Sequence, residues 1–298
     1  MPSSIPPAAL VASVYQDFAP YVRRTLLEEG GELRGKLLVA AVSGGGDSQA
    51  MLEVLARLSP ELGFGLRAHG VDHGLRAEAA SELDLAQALA ERLNVPFTRT
   101  CVSVGRGANL QARARAARYA ALREAASSEQ ALIATAHHAD DRAETVLLRL
   151  LRGSGPRGLA VMPTRAHDVI RPLLRAAKTD VLAHLERHGL EFARDPSNTD
   201  AAFLRVRVRH ELLPLMATLS PQITRHLNAL ADALGGSSLP ELGELTTELT
   251  RLGPDLELNR AQIREALRAR RLGRSVTIRV AGARDLAFGR TKLQPKIK

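Results

Sequence analysis

Residues 36–42, KLLVAAV, form an almost uninterrupted apolar run that ends at SGGGDS. From Gln49 to Leu58 the apolar positions then recur at helical spacing. An apolar run, a glycine turn and an amphipathic segment predict a strand feeding a helix. The pattern returns along the chain: strand candidates at 64–71, 96–102, 131–136 and a short one at 168–171 precede helical patterns over about 77–93, 109–126, 139–151 and 177–188. Strands alternating with helices of crossover length predict an α/β fold, a parallel sheet of about five strands with helices on both faces. The last third changes character. Residues 203–234 read as helical and basic, GGSSLP at 235–240 as a loop, and a helix near 259–271 precedes two short β candidates at 275–280 and 285–288. This predicts an α/β domain over 1–212 and a small, mainly helical domain over 213–298.

The glycine turn carries the first chemistry. Consecutive glycines let backbone N–H groups curl around an anion, and the following helix N-terminus adds positive potential. Ser43 and Ser48 offer hydroxyl donors beside Gly44, Gly45 and Gly46. Asp47 repels phosphate directly, so it fits as a helix cap or as a ligand for Mg²⁺ that neutralises the phosphates. The loop lacks the Gly-Lys-Ser/Thr of a Walker A loop and is not a G-x-G-x-x-G fingerprint.

A second cluster, His137-His138-Ala139-Asp140-Asp141-Arg142-Ala143-Glu144-Thr145, follows the fourth strand. His137, Asp141 and Glu144 fall at i, i+4 and i+7 on one helical face, and Asp140 and Glu144 are i, i+4 neighbours. Acidic groups this close bind something cationic, a metal ion or an ammonium, or else complement the helix dipole as a solvated helix start. Open parallel sheets bind ligands at the carboxyl ends of strands where the order reverses. With the order 3-2-1-4-5, strands one and four are neighbours, and the two segments face each other across that crevice. Asp72 and His73, after strand two, read equally as capping residues or site residues. Arg113, Arg115 and Arg118 do not share one stripe of their helix. Each suits a phosphate contact or a surface salt bridge.

Composition narrows the partners. Hydrophobic residues make up 45% of the chain, which supports a sizeable core, while aromatics at 3% and no Trp weaken a base-stacking platform. Lys plus Arg is 41 against 32 Asp plus Glu, a net +9 carried mostly by Arg, which suits a polyanion such as nucleic acid. Cys101 is the only cysteine, placed in a strand expected to be buried. One cysteine excludes a disulfide framework or a Cys-rich metal site within the chain and fits a reducing, cytoplasmic setting. MPSSIPPAAL lacks signal-peptide character, and no apolar run reaches membrane-spanning length.

SGGGDS resembles the SGGxDS pyrophosphate loop of the N-type ATP pyrophosphatases, which split ATP into AMP and pyrophosphate while adenylating an acceptor oxygen. HHADDRAETVLLRLLRGSGPRGLAVM is similar to the tRNA(Ile)-lysidine synthetase pattern HHxDDxxETxLxRLxRGxGxxGL. VDHGLR at 71–76, Gln111-Ala112-Arg113, Arg171-Pro172-Leu173-Leu174 and Asp195-Pro196-Ser197-Asn198 match the same family, so the resemblance spans roughly 36–215. Two departures stand out. Arg194 replaces a frequent Glu before Asp195, and Arg205-Val206-Arg207-Val208-Arg209 lacks the Asn of Arg-Asn-Arg-x-Arg. The chain is also shorter than the family's three-domain members.

The resemblance implies lysidine formation on an isoleucine tRNA with anticodon CAU. The 2-carbonyl oxygen of the wobble cytosine attacks the α-phosphate of ATP, pyrophosphate leaves, and the ε-amine of free L-lysine displaces AMP. It implies ATP contacts at Ser43, Gly44, Gly45, Gly46, Asp47, Ser48, His69, Asp72, Arg113 and His137, with Mg²⁺ at Asp47. It implies lysine binding at Asp140, Asp141 and Glu144. Asp47, Arg113, His137, Asp141 and Glu144 are the catalytic candidates. Arg205, Arg207 and Arg209 are assigned to tRNA, helped by the C-terminal domain. As a strand those three arginines share one face, and as a helix they spread. The sequence leaves the oligomeric state open, a homodimer being one possibility. The rivals are a PP-loop tRNA thiolase, which would need a sulfur-carrying cysteine pair, a small-molecule amidating enzyme, and a non-catalytic ATP- and RNA-binding module. ATP–pyrophosphate turnover separates the enzymes from the module.

Overall fold

The structure is a computed structural model that describes residues 18–29, 31–72, 74, 79–103, 105, 110–126, 131–193, 203–236, 260–271, 276–280, 284–288 and 294–295. The chain divides into two compact units, Met1–Ala231 and Asp232–Lys298.

In the first unit α1 (Ala19–Glu29) precedes β1 (Leu37–Val42), α2 (Gly46–Leu62), β2 (Gly65–Asp72), α3 (Ala79–Arg92), β3 (Phe97–Cys101) and α4 (Leu110–Ala125). Next come β4 (Leu132–Ala134), α5 (Ala139–Leu151), the short α6 (Pro156–Leu159), β5 (Arg165–Ala166), β6 (Val169–Ile170) and α7 (Lys178–Arg187). The sheet order is β3-β2-β1-β4-β6-β5, parallel throughout except for β5, which pairs antiparallel with β6. The five expected strands thus stand in the expected order 3-2-1-4-5, and a two-residue antiparallel edge strand is added beyond them.

β1 is apolar on both faces because both are covered. Leu38, Ala40 and Val42 pack into a core with α1, α2, α3 and α7. Leu37, Val39 and Ala41 pack with Leu122 and Ala126, at the end of α4, on the opposite face. Burying successive residues on alternate sides is what turns a strand of this kind into a continuous apolar run. β3 lies at the sheet edge, and Cys101 on it is exposed rather than buried, because an edge strand has a neighbour on one side only.

α8 (Leu204–Arg207) runs into one π-helical turn, Val208–Leu212, then α9 (Leu213–Leu219) and α10 (Ile223–Gly236). These segments bury Val208, Leu213, Leu227 and Ala231 against Ala143, Val146, Leu147 and Leu148 of α5, so the basic segment is held on the helix that carries the acidic cluster. In the second unit α11 (Arg260–Arg271) accompanies the antiparallel strands β7 (Val276–Val280), β8 (Arg284–Phe288) and β9 (Gln294–Pro295). The expected helix and two β segments are present there with a third short strand. Of the sequence-predicted features, His73, Leu75, Arg76, Asn109, Arg194, the segment 195–198 and most of the 235–240 loop fall outside the described residues.

Candidate functional site

The glycine loop joins β1 to α2 at the carboxyl edge of the sheet. Gly44 has φ +75°, and a Cβ there would lie 1.9 Å from the carbonyl oxygen of Glu82 on α3. Gly45 is the extended N-cap of α2 and makes no side-chain cap, which leaves the first helical N–H groups directed outward. Ser48 Oγ donates to Gly45 O at 2.8 Å and accepts from the Ser43 N–H at 3.2 Å, pinning the loop closed on itself. The loop is also fastened at its back, where the Ala193 N–H donates to Gly44 O at 3.0 Å.

Three helix N-termini meet beside it. Asp47 lies in the first turn of α2, His138 caps α5, and Lys178 opens α7. Lys178 Nζ donates to Asp47 Oδ1 at 2.5 Å, and the Lys178 backbone N–H donates to Asp140 Oδ2 at 2.7 Å. Lys178 therefore ties the glycine loop to the acidic cluster. The buried His138 ring has Nε2 3.7 Å from Asp47 Oδ2 and 3.4 Å from Asp141 Oδ2, and Nδ1 3.6 Å from Asp140 Oδ2. Burial opposes the charged ring, but the three carboxylates outweigh it and hold the His138 pKa above its ordinary value. Asp140 and Asp141 are both held below theirs. Burial pushes each up, and His138 with the Lys178 N–H (for Asp140), or His138 with His137 and Arg205 (for Asp141), pulls further down.

His137 goes the other way. Burial comes first, and the charges of Arg171, Arg115 and Arg118 add to it, so its pKa falls to about 4 despite Asp141. It is a neutral imidazole at physiological pH, with Nδ1 3.0 Å from Thr135 Oγ1. Adjacent histidines in one sequence thus carry opposite shifts: at His138 three carboxylates outweigh burial, while at His137 burial, helped by nearby guanidinium groups, outweighs Asp141.

Asp141 and Glu144 meet two arginines. Arg205 Nε donates to Glu144 Oε2 at 2.9 Å and Arg209 Nε to Glu144 Oε1 at 2.6 Å, while Nη2 of each reaches Asp141 Oδ1 at 3.2 and 3.4 Å. Glu144 is only 1% exposed, and both its oxygens are occupied. The arginine segment is helical, so Arg205 and Arg209, at i and i+4, share the face towards α5. Arg207 points away and pairs with Glu211 on the surface. Four carboxylates (Asp47, Asp140, Asp141, Glu144) therefore face three permanent cations (Lys178, Arg205, Arg209) and a histidine with raised proton affinity.

The remaining sequence-predicted residues lie around this centre. His69, on β2, is buried with Nδ1 2.7 Å from Thr98 Oγ1 and Nε2 without a hydrogen-bond partner, and burial first, then Arg67, lowers its pKa. Asp72 Oδ1 accepts from the Gly74 N–H at 2.8 Å, a turn-forming contact. Arg113 is exposed and donates to Gly105 O at 2.7 Å, while Arg115, Arg118 and Arg171 are the arginines whose charge reaches His137. Lys178 was not singled out from the sequence. Its signal was its place at a helix start just after the Arg171-Pro172-Leu173-Leu174 motif.

Comparison with known proteins adds the following. The family model described as "PP-loop domain" matches residues 20–216. The tRNA(Ile)-lysidine synthase of Thermobifida fusca (strain YX) is 43% identical over 234 residues, 77% of this chain and 68% of that protein. That of Pseudomonas fluorescens (strain Pf0-1) is 43% identical over 187 residues, 61% of this chain and 42% of that protein. The chain spans about half the length of most of the curated relatives it matches, as with 47% for Geobacter sulfurreducens and 53% for Xanthomonas axonopodis. Among solved structures, the U34-tRNA thiolase NcsA from Methanococcus maripaludis, with its [4Fe-4S] cluster, is similar at a TM-score of 0.62 and 19% identity, covering 72% of this chain and 77% of that one. That likeness is one of fold. No described helix is long and apolar enough to cross a membrane.

Proposed function

Because the chain belongs to the tRNA(Ile)-lysidine synthase family of PP-loop proteins, we propose that it joins free L-lysine to C2 of the wobble cytidine of tRNA(Ile) bearing the anticodon CAU, with ATP giving AMP and pyrophosphate. The observation that carries this reading is the meeting of the glycine loop with Asp47, Asp140, Asp141 and Glu144 at the carboxyl ends of the neighbouring strands β1 and β4. It sets an anion cradle beside an ammonium-binding group of carboxylates.

In the first step the cytosine O2 bonds to the α-phosphorus and the bond to the bridging oxygen of pyrophosphate breaks. The glycine-loop N–H groups, the hydroxyls of Ser43 and Ser48, and Lys178 Nζ stabilise the charge on the departing pyrophosphate. Asp47 and Asp140 present hard oxygen donors that fit Mg²⁺, which when bound would neutralise the phosphates. In the second step the lysine ε-amine bonds to C2 and the C2–O bond breaks, releasing AMP. Free lysine arrives as an ammonium with pKa about 10.4, so it must be held and deprotonated. Asp140 and Asp141, both held below their ordinary pKa, are assigned to holding the ammonium. Glu144 and Asp141 are already paired, so the ammonium enters by replacing a guanidinium, and Arg205 or Arg209 thereby becomes free for an RNA phosphate. Arg207 is the exposed member of the three assigned to tRNA. Cys101, the sole cysteine, leaves no pair to carry sulfur and argues against tRNA thiolation.

The test supplies purified protein, ATP, Mg²⁺ and labelled lysine with isoleucine tRNA (CAU) or methionine tRNA. Label entering the isoleucine tRNA alone is expected. Pyrophosphate release without label transfer would overturn the choice of lysine.

A further inference from the structure

We propose that Glu53, His184 and His188 bind one divalent transition-metal ion between α2 and α7, at a place separate from the nucleotide site. Both helices start at the crevice, where Lys178 Nζ meets Asp47. Glu53 and His184 each lie six residues further along, about 9 Å down their helices at the α-helical rise per residue. There the two helices meet a second time, with His184 Nε2 2.7 Å from Glu53 Oε2. His188 follows His184 at i+4, so both rings lie on the same face of α7. Its Nδ1 is 3.8 Å from the other carboxylate oxygen, Glu53 Oε1, and the two rings stand 4.4 Å apart, tilted at 42°. One ligand atom from each of the three residues lies within 4.8 Å of the other two.

A buried carboxylate–imidazole pair accounts for Glu53 and His184 but not for His188. At 3.8 Å, His188 Nδ1 is too far from Oε1 for a hydrogen bond. Two ligands of one tetrahedral ion, each bonded at about 2.0–2.1 Å, stand roughly 3.3 Å apart. The separations of 2.7 and 3.8 Å bracket that spacing. Two imidazoles one helical turn apart with one carboxylate form a donor set that zinc accepts, with water in the fourth position. Imidazole nitrogen suits Zn²⁺, Ni²⁺ or Cu²⁺, whereas Mg²⁺ and Ca²⁺ take oxygen. The surroundings are closed on one side and open on the other. The Glu53 and His184 side chains are 8% and 1% exposed, and the Phe18 ring stands edge-on to His184 at 4.3 Å. His188, at 27%, is the rim through which an ion enters. Arg57 is the cation nearest to this group, with Nη1 3.4 Å from His188 Nε2 and Nε 3.9 Å from Glu53 Oε1. It approaches the far ring nitrogen of His188, so Nδ1 is left to the ion. An ion held only by the folded chain clamps α2 to α7 behind the glycine loop and raises stability.

The test strips the protein with a chelator and then titrates it with Co²⁺, read by visible d–d absorption, and with Zn²⁺, read by the thermal midpoint. One equivalent of Co²⁺ with the intense bands of four- or five-fold coordination is expected, together with a midpoint that rises with Zn²⁺. His188→Ala, at the rim, and Glu53→Gln should each weaken binding by about tenfold or more, since a ligand matters at least as much as its outer-shell partners. Arg57→Met, relieved of a competing charge, should bind at least as tightly as wild type. Asp47→Asn, in the nucleotide site, should bind Co²⁺ as wild type does. Weak octahedral bands, a midpoint indifferent to Zn²⁺, or unaltered affinity in folded His188→Ala overturns the site. Loss of Co²⁺ binding in Asp47→Asn with retention in His188→Ala overturns it equally, by placing the ion at the nucleotide loop. If circular dichroism shows Glu53→Gln unfolded, His188→Ala decides alone. Lysine transfer enters none of these readouts, so the site stands or falls apart from the tRNA-ligase reading.

Discussion

Replacing Arg209 with Met leaves the Glu144 carboxylate buried with half of its partners. Arg209 supplies the 2.6 Å bond to Oε1 and a 3.0 Å bond from Nη2 to Oε2, and only the 2.9 Å bond from Arg205 to Oε2 remains. Breaking a buried ion pair by removing one member costs about 3–5 kcal/mol, because a charge is left in a medium that does not solvate it. Arg205 retains part of the compensation, and the Arg209 side chain is 33% exposed, so the lower end, about 3 kcal/mol, applies. At about 2–4 °C per kcal/mol for a unit of this size, the thermal midpoint followed by circular dichroism falls by about 6–12 °C. Two companions isolate the cause. Arg207→Met removes an arginine two residues away whose pair with Glu211 is 57% and 55% exposed, and its midpoint should match wild type. Glu144→Leu combined with Arg209→Met removes both the stranded charge and its partner and should recover part of the loss. An Arg209→Met midpoint no lower than that of Arg207→Met would refute the claim that the pairing on Glu144 holds the basic segment in place.

Gly44→Ala demands a Cβ 1.9 Å from a backbone carbonyl at φ +75°, so the loop must move. Equilibrium dialysis with an ATP analogue should show binding lost, and retained affinity would mean the loop has slack. His137 has its folded pKa lowered to about 4, so between about pH 4 and 6.5 the unfolded state binds the extra proton and stability rises with pH. His137→Gln should flatten this rise, by up to about 3 kcal/mol, in urea titrations across that window. His138 has the opposite shift, so its contribution is complete below its unfolded pKa of about 6.5 and is lost as pH rises through the folded one. His138→Asn, which keeps a capping side chain, should remove that decline on the alkaline side. Lys178→Met takes away the cation on Asp47, an ion pair whose lysine side chain is 40% exposed, so stability should change by about 1 kcal/mol or less. ATP binding should nevertheless weaken at least several-fold by calorimetry, and unchanged binding would exclude Lys178 from the phosphate site.

What was legible in the sequence follows the range of the forces involved. β1 could be read because both its faces are buried, so every position is apolar, and the glycine loop because a left-handed Gly44 pressed against α3 admits no side chain. β5 could not. Two residues, Arg165 and Ala166, carry no periodicity, and a turn through His167 at φ +50° places them. α1 escaped notice although Phe18, Val22 and Leu26, four apart, mark its buried stripe. Arg-Val-Arg-Val-Arg at 205–209 has the period of a strand yet is helical, because Val208 packs against α5 and Arg205 and Arg209 reach carboxylates on that helix. The partners of that pairing are 61 and 65 residues apart, and those of Lys178–Asp47 are 131 apart. Local pattern says which residues are charged, and only the assembled sheet says which charges meet.

The crevice that results has two differently charged sides, and the carboxylates on one of them are held together by the cations among them. Four carboxylates packed this closely would repel and take up protons if left alone. Asp140 and Asp141 instead are held below their ordinary pKa against burial, first by His138, and then by the Lys178 backbone N–H for Asp140 and by His137 and Arg205 for Asp141. On the lysine-binding role proposed for them, an incoming ammonium would meet carboxylates that are already desolvated and would exchange with a cation there. That exchange would be favourable only if the displaced guanidinium found another anion, as a phosphate-bearing substrate would offer. On the α4 side the position is reversed: among the described residues no carboxylate pairs with Arg115, Arg118 or Arg171, and the buried Nε of Arg171 has no hydrogen-bond partner.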